Sequence, residues 1–363
     1  RSKTDALAMR RDGHILSLLQ ARLLPVLGAD WCVKSEDDQY KDQATLYQKL
    51  IEKTPRLLQL RKCLLEAVWF GRYGVQFAFG KVDVDGRSMT GITAWKPVNG
   101  DKINFREDGT PTIRIMPSFA AKLREQGATV EEPTASPITA WNDQGTVLIL
   151  DKPEYRSRFA IHIHEIEDAD FAEPELAGSV GGVGLRHYCY WVWWLRQEIM
   201  EWLLSYLEMM GAGGLTIVGY DMSNPNGLNQ AKEAFKERAT VVYLPIPPGQ
   251  DKQTNIVQRV EPSGTGNDIF SGWVDGYFNG ILTRLIIGQD LSSSSNSTGL
   301  GSGVADLQAS VKECIHRYDA KNLNETETQQ ILDVLVKLNE PQASYGLKCQ
   351  TILQKVDPEK GLQ

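Results

Sequence analysis

The residues with the strongest claim to chemistry lie in HIHEIEDAD, positions 162–170. In an extended strand His162 and His164 share one face, while Phe159, Ile161 and Ile163 share the other. Two imidazoles two residues apart, joined by Glu165, Glu167 or Asp168, are donor types that hold a divalent cation, as a metal-dependent nuclease requires. The plainer reading is an amphipathic strand running into an acidic turn, and the sequence favours it. A second cluster is glycine: Gly178, Gly181, Gly182 and Gly184 precede a long apolar segment. Backbone N–H groups at such a helix start can hold an anion. No strand with an acidic ribose-binding residue follows at dinucleotide spacing, so we expect a hinge that gives the chain access to a crowded turn.

Other signatures are missing. Gly80-Lys81 is the only Gly-Lys pair; Val75 stands where a phosphate loop places its first glycine, and Val82 follows the lysine. The GxxxxGK[ST] pattern of an ATP-driven motor is therefore absent. No Ser-His-Asp or Cys-His group has motif spacing. The cysteines, Cys32, Cys63, Cys189, Cys314 and Cys349, are scattered without a CxxC pair. That pattern points to free thiols in a reducing compartment and away from zinc fingers or a disulfide scaffold.

The elements that must position these residues follow from periodicity. Leu7, Ile15, Leu18, Leu19, Leu23 and Leu24 recur at three-to-four spacing, predicting a helix over 4–27 stopped by Pro25. A helix over 44–69 is interrupted at Pro55 and ends near Gly71 and Gly74. The segments VQFAFGKVDVDG and SMTGITAWKPV form strands about the turn Asp85-Gly86. Short strands fill 99–150, with a helix near 117–126, and RFAIHIHEI adds a strand over 158–166.

Residues 188–210 form a long helix. They are numerous enough to cross a bilayer, but Arg196, Glu198, Glu201 and Glu208 would each cost roughly 2.5–3.5 kcal/mol at its centre. A helix buried by several neighbours is the better reading. A strand, a short helix at 228–238 and two further strands then make an insert over 212–266. The next long helix, 267–288, carries Gly272, Gly276 and Gly280 at i, i+4 spacing along one face, ringed by Phe270, Trp273, Tyr277 and Phe278. Each glycine costs about 1 kcal/mol relative to alanine, which a close helix–helix contact would offset. That contact lies within the subunit or between subunits, and we expect the second. The segment QDLSSSSNSTGLGSG, 289–303, is a spacer or a mobile loop. A helical region then runs to Asn339 before Pro341; Asn324 and Glu327 resemble a capping box at which it kinks or restarts. SYGLKCQTIL reads as a terminal strand.

With 363 residues, 42% apolar and 23% charged, the chain is neither disordered nor short of core. A net charge of −7 disfavours tight wrapping of nucleic acid and still permits a wall along which nucleic acid slides.

The order of elements and four segments resemble the bacteriophage portal proteins of the Mu-like type. MRRDGHILSLLQARLLPVLGADWCV (9–33) resembles the family's opening helix and strand, and LRKCLLEAVWFGRYGVQFAF (60–79) its next helix and strand. GGVGLRHYCYWVWWLRQEIMEWLLSYLEMMGAGGLTIVGY (181–220) is the most specific match, and ILTRLIIGQDLSSSS (281–295) resembles a later segment. The resemblance covers roughly 9–339. Ala212-Gly213 replaces a usual proline, and Leu195-Arg196 stands where a lysine is common.

The resemblance implies an α+β fold: a wing (1–187), a stem helix (188–211), a small α/β clip (212–266), a second stem helix (267–288), a tunnel loop (289–303), a tunnel and crown helix (304–340) and a C-terminal strand (341–363) returning to the wing. It implies a ring of about twelve subunits at the capsid vertex of the virion, assembled in the bacterial cytoplasm. Double-stranded DNA would be packaged and ejected through its channel. The ring would contact the major capsid protein and dock the terminase large subunit, then a head–tail adaptor or neck protein. It implies no cofactor, no metal, no membrane and no catalysis, since a separate motor hydrolyses ATP. Ser292, Ser293, Ser294, Ser295 and Asn296 would meet DNA from the tunnel loop. Gly272, Gly276, Gly280, Trp273 and Tyr277 would pack stem helices of adjacent subunits. Glu325, Glu327 and Asp333 are expected to face the channel. The alternative is a metal-dependent nuclease, or other DNA-processing enzyme, built on His162, His164 and Glu165.

Overall fold

The computed structural model describes residues 3–106, 108–131, 146–165, 181–211, 215–221, 224–234, 241–246, 257–260, 272–289 and 302–353. They form mixed helices and largely antiparallel strands, an α+β chain, in two units: Arg1–Cys189 with Thr283–Gln363, and Tyr190–Leu282.

The first unit opens with α1 (Lys3–Arg11) and α2 (Gly13–Leu27) rather than one helix. Asp12 separates them: its backbone is extended, and its carboxylate accepts from the N–H groups of His14 and Ile15 at 3.1 and 3.2 Å. Pro25 does not stop α2, which continues to Leu27. A proline removes the N–H that would bond four residues back, at Ala21. The lost bond falls in the last turn, where the Gly28 N–H still donates to the Leu24 carbonyl at 2.8 Å.

After β1 (Asp30–Ser35) come α3 (Lys41–Glu52), α4 (Leu57–Leu65) and α5 (Ala67–Phe70), so the break at Pro55 is real. Strands β2 (Arg72–Val84) and β3 (Arg87–Val98) pair across a two-residue turn in which Asp85 and Gly86 both have positive φ, 50° and 78°. Such a turn matches the natural twist of a hairpin. A small sheet of β4 (Ile103–Phe105), β5 (Pro111–Arg114), β6 (Val130–Glu131) and β7 (Val147–Ile149), with α6 (Pro117–Glu125) and α7 (Pro153–Arg156), follows in the order β4-β5-β7-β6. Its apolar side chains share a core with Phe159 and Ile161 of β8 (Phe159–Ile163). Strand β8 completes the larger sheet, order β3-β2-β8.

Gly71, Gly182 and Gly184 interlock. A Cβ on Gly182 would lie 2.1 Å from the Gly71 carbonyl oxygen, and one on Gly184 would lie 2.2 Å from that of Trp69. The crowding read from these glycines is thus a fixed backbone-to-backbone contact rather than a hinge.

The helical region near the end runs as α11 (Ser302–Glu327), a π-helical segment (Thr328–Leu332) and α12 (Asp333–Asn339). It does not restart at a capping box; the Asn324 side chain accepts from Thr351 at 2.6 Å instead. The helix fastens both edges of the larger sheet. The Gln330 amide donates to the Ile161 carbonyl and accepts from its N–H, at 2.9 and 2.8 Å. Asn339 does the same to Thr90 of β3, at 2.9 and 2.7 Å. Each amide thereby acts as a missing strand for an edge that would otherwise be bare. Strand β12 (Leu347–Ile352) pairs antiparallel with β1, Asp30 opposite Ile352.

Glu327 corrects one expectation. It is 3% exposed, accepts from Arg61 Nε at 2.8 Å and from Trp31 Nε1 at 3.1 Å, and so belongs to the interior rather than to a channel wall. Burial pushes its carboxyl above the usual range, with Arg61 opposing. Asp333 is half-buried and Glu325 exposed.

In the second unit, β9 (Leu215–Asp221) lies between β10 (Val241–Ile246), parallel to it, and β11 (Val257–Val260), antiparallel, with α9 (Gly227–Ala234) against β9. Helix α8 (Leu185–Gly211) leads into this unit. A π-helical segment (Gly272–Phe278) continues into α10 (Asn279–Ile287) and leads out.

Candidate functional site

The histidine pair on β8 is interior on both faces. His162 is 1% exposed, and its Nδ1 lies 2.8 Å from the Thr326 hydroxyl of α11. Burial, with His164 adding to it, holds its ring down at about 3. His164 is 3% exposed and held down at about 4 by burial and by Arg22, with Asp319 opposing. Its Nε2 is 3.8 Å from Glu165 and its Nδ1 3.9 Å from Asp319, so the two carboxylates face different nitrogens of the ring. Among the described residues no group of three His, Cys, Asp or Glu side chains is placed to hold a metal ion. Glu167 and Asp168 lie outside them. The amphipathic strand read from the alternation has a second apolar neighbour, α11, that local sequence does not announce.

Beside His164 is a junction of charge. Arg22 on α2 grips Asp319 on α11 with two bonds, 2.7 and 2.9 Å, and donates a third, of 3.0 Å, to the Ile286 carbonyl near the end of α10. Arg22 and Asp319 are 6% and 1% exposed. Two residues on, Gly288 has φ +79°, and a Cβ there would come within 2.7 Å of Ile315. The two helices flanking the serine-rich segment are thereby tied to each other and to α2. Ser292, Ser293, Ser294, Ser295 and Asn296 lie outside the described residues. The sequence reading missed this junction. Its signal was Arg22 itself, a charge within the apolar run Leu18, Leu19, Leu23 and Val26.

The glycine face of 272–280 is divided. Gly272 and Gly276 are exposed, and a Cβ on either would meet nothing within 4 Å. Gly280 is buried. The π turn before it breaks the simple i, i+4 alignment. Trp273 and Tyr277 meet edge to face, centroids 5.1 Å apart, and are 46% and 52% exposed. On α8, Arg196 reaches Asn279 at 2.6 Å, while Trp202 and Leu204 are 64% and 56% exposed.

The chain's relationships supply a frame for these features. A family model described as the portal protein of Mu bacteriophage matches residues 6–360. The chain belongs to this family. No curated protein matches it. The resemblance carried by residues 9–33, 60–79, 181–220 and 281–295 thus extends over nearly the whole portal chain. Among the described residues no helix is long and apolar enough to cross a membrane, in keeping with the charges on α8.

Proposed function

We propose that this Mu-type portal chain is the subunit of a closed ring of about twelve copies at the capsid vertex. DNA passes through its channel during packaging and ejection. The family match over residues 6–360 carries the reading. In it, 1–187 with the C-terminal strand is the wing, 188–211 and 267–288 are stem helices, 212–266 is the clip, 289–303 is the tunnel loop and 304–340 is the tunnel and crown helix.

Two features support the stem assignment. Gly272 and Gly276 leave open space on one helix, and Trp273, Tyr277 and Trp202 expose large apolar area that water does not favour. An adjacent copy would cover both. The ring surrounds DNA without sequence preference, with the hydroxyls of Ser292 to Ser295 and Asn296 touching phosphates weakly enough to let DNA slide. It contacts the major capsid protein, docks the terminase large subunit and then a head–tail adaptor, and performs no chemistry itself. It is assembled in the bacterial cytoplasm and carried in the virion.

Native mass spectrometry and negative-stain imaging of the purified chain test the reading. Closed rings support it. A chain that stays monomeric at assembly concentration, or that cleaves DNA with a divalent cation, overturns it.

A further inference from the structure

The larger sheet has two outer edges, and one is left partly open. On β8, Gln330 covers Ile161, while Tyr318 and Asn322 donate to the carbonyls of His164 and Ile163. On β3, Asn339 covers Thr90. Among the described residues no such bond reaches the β3 backbone over residues 93–97.

This stretch is flanked by two hollows. The register places Gln76 with Lys96 and Ala78 with Ala94 on one face, and alternation puts Thr93, Trp95 and Pro97 on the other. On the second face a hollow of about 660 Å³ is lined by Pro55, Arg56, Gln59, Cys63, Thr93 and Pro97. On the first, a hollow of about 470 Å³ is floored by Ala78 and Ala94 and walled by Phe79, Lys96 and Arg158. Trp95 borders both, and its indole N–H, bonded to the Pro55 carbonyl at 2.7 Å, fixes the ring. The charge is one-sided. Arg56, Lys96 and Arg158 line the hollows, and among the described residues no Asp or Glu does and no carboxylate pairs with any of the three cations. Arg56 is held at the start of α4 in the left-handed region, φ 53°, a conformation non-glycine residues seldom adopt.

We infer that residues 93–97 of β3 are a docking edge for a short, extended, acidic segment of a partner protein. A strand laid along the edge sends alternate side chains to opposite faces, one set into each hollow. Its carboxylates meet Arg56, Lys96 and Arg158, and its apolar side chains meet Trp95 and the proline and alanine surfaces. Pro97 has no N–H to offer, so the paired run is about four residues long. Nucleic acid fits less well, because three cations divided between two faces of a sheet cannot follow one phosphate backbone.

The test is fluorescence anisotropy of the full chain with three labelled probes. One is a peptide of about eight residues alternating Glu with Val and Leu, the second its Lys counterpart, and the third a single-stranded oligothymidylate. The acidic peptide binds roughly tenfold tighter than the basic one, and Lys96→Glu with Arg158→Glu removes that preference while circular dichroism stays unchanged. Arg87→Glu with Lys122→Glu, an equal charge change elsewhere, leaves it intact. Equal binding of the two peptides, loss of the preference in the control pair, or a preference for the oligonucleotide each overturns the inference.

Discussion

Arg22 and Trp202 show two treatments of a side chain within one polypeptide. Arg22 sits on a largely apolar helix, yet it is 6% exposed and all its bonds are made within the chain. Trp202 sits on the most aromatic helix and is 64% exposed. The first unit pairs its deeply buried charges within itself, Arg22–Asp319 and Arg61–Glu327, and fills the strand edges at Ile161 and Thr90 with Gln330 and Asn339, leaving β3 open over 93–97. The second unit shows Trp273, Tyr277, Val242 and Leu244 to water and open space at Gly272 and Gly276. Buried charges paired in this way are settled within one chain. A patch where exposed aromatic rings adjoin open space at two glycines is one that another surface completes, which under the proposed function is another copy.

Breaking the first region has the largest effect on single-chain stability. Arg22→Ala leaves the Asp319 carboxylate buried without its partner and costs about 3–5 kcal/mol in urea unfolding. A loss under about 1 kcal/mol would mean that water reaches Asp319 and the junction is not a buried one.

Acid acts next, through the same region. Folding holds His162 at about 3 and His164 at about 4, below the ordinary 6.5, so the unfolded chain binds more protons as pH falls. Stability is complete above the ordinary histidine value. It declines from there toward pH 4, by on the order of 3 kcal/mol for each ring that contributes. Glu66 and Glu327, whose carboxyls burial raises, work in the opposite direction and blunt the slope. His164→Asn should flatten the decline across this window; an unchanged slope would remove His164 from the explanation.

The edge clamps come third. Gln330→Ala and Asn339→Ala each strip one strand residue of both partners, costing about 1–3 kcal/mol apiece. The two sites touch different strands, so the double variant should lose nearly the sum. Hydrogen exchange should rise at Ile161 in one variant and at Thr90 in the other.

The second region inverts the pattern. Gly276→Leu meets empty space, so single-chain stability holds or improves by up to about 1 kcal/mol through helix propensity. Ring assembly is nonetheless lost, as read by native mass spectrometry. Normal rings from this variant would show that the open face is not an interface. Deleting 292–298 has the smallest expected effect: stability and ring assembly stay at wild-type level while the yield of packaged genomes drops. Full packaging in the deletion virus would reduce the segment to a spacer.

What the sequence revealed and what it concealed divide along the same line. The hairpin at Asp85-Gly86, the helix from Pro117, the strand through His162 and the long helix through Trp202 were legible because each depends on neighbours in sequence. The family resemblance was legible from short segments for the same reason. Glu327 was misplaced because its partners, Arg61 and Trp31, are hundreds of residues away. Pro25 looked like a stop because a proline forfeits one helical bond, but a bond lost in the final turn leaves the closing Gly28-to-Leu24 bond in place. The π turns at 272–278 and 328–332 have the composition of ordinary helix, so no pattern of period 3.6 could mark them.

The second of those π turns makes the helix a ruler. A π turn is an α-helix carrying one surplus residue. The surplus is already taken up, so inserting one more residue between Asp333 and Asn339 would swing all that follows by roughly a quarter turn. Asn339 would leave Thr90 while Gln330 stayed on Ile161, and one sheet edge would lose its cover. Length in this stretch is therefore under tighter restraint than spelling. A scan of one-residue insertions should find 333–338 intolerant even where substitutions at Lys337 and Leu338, both exposed, pass unnoticed.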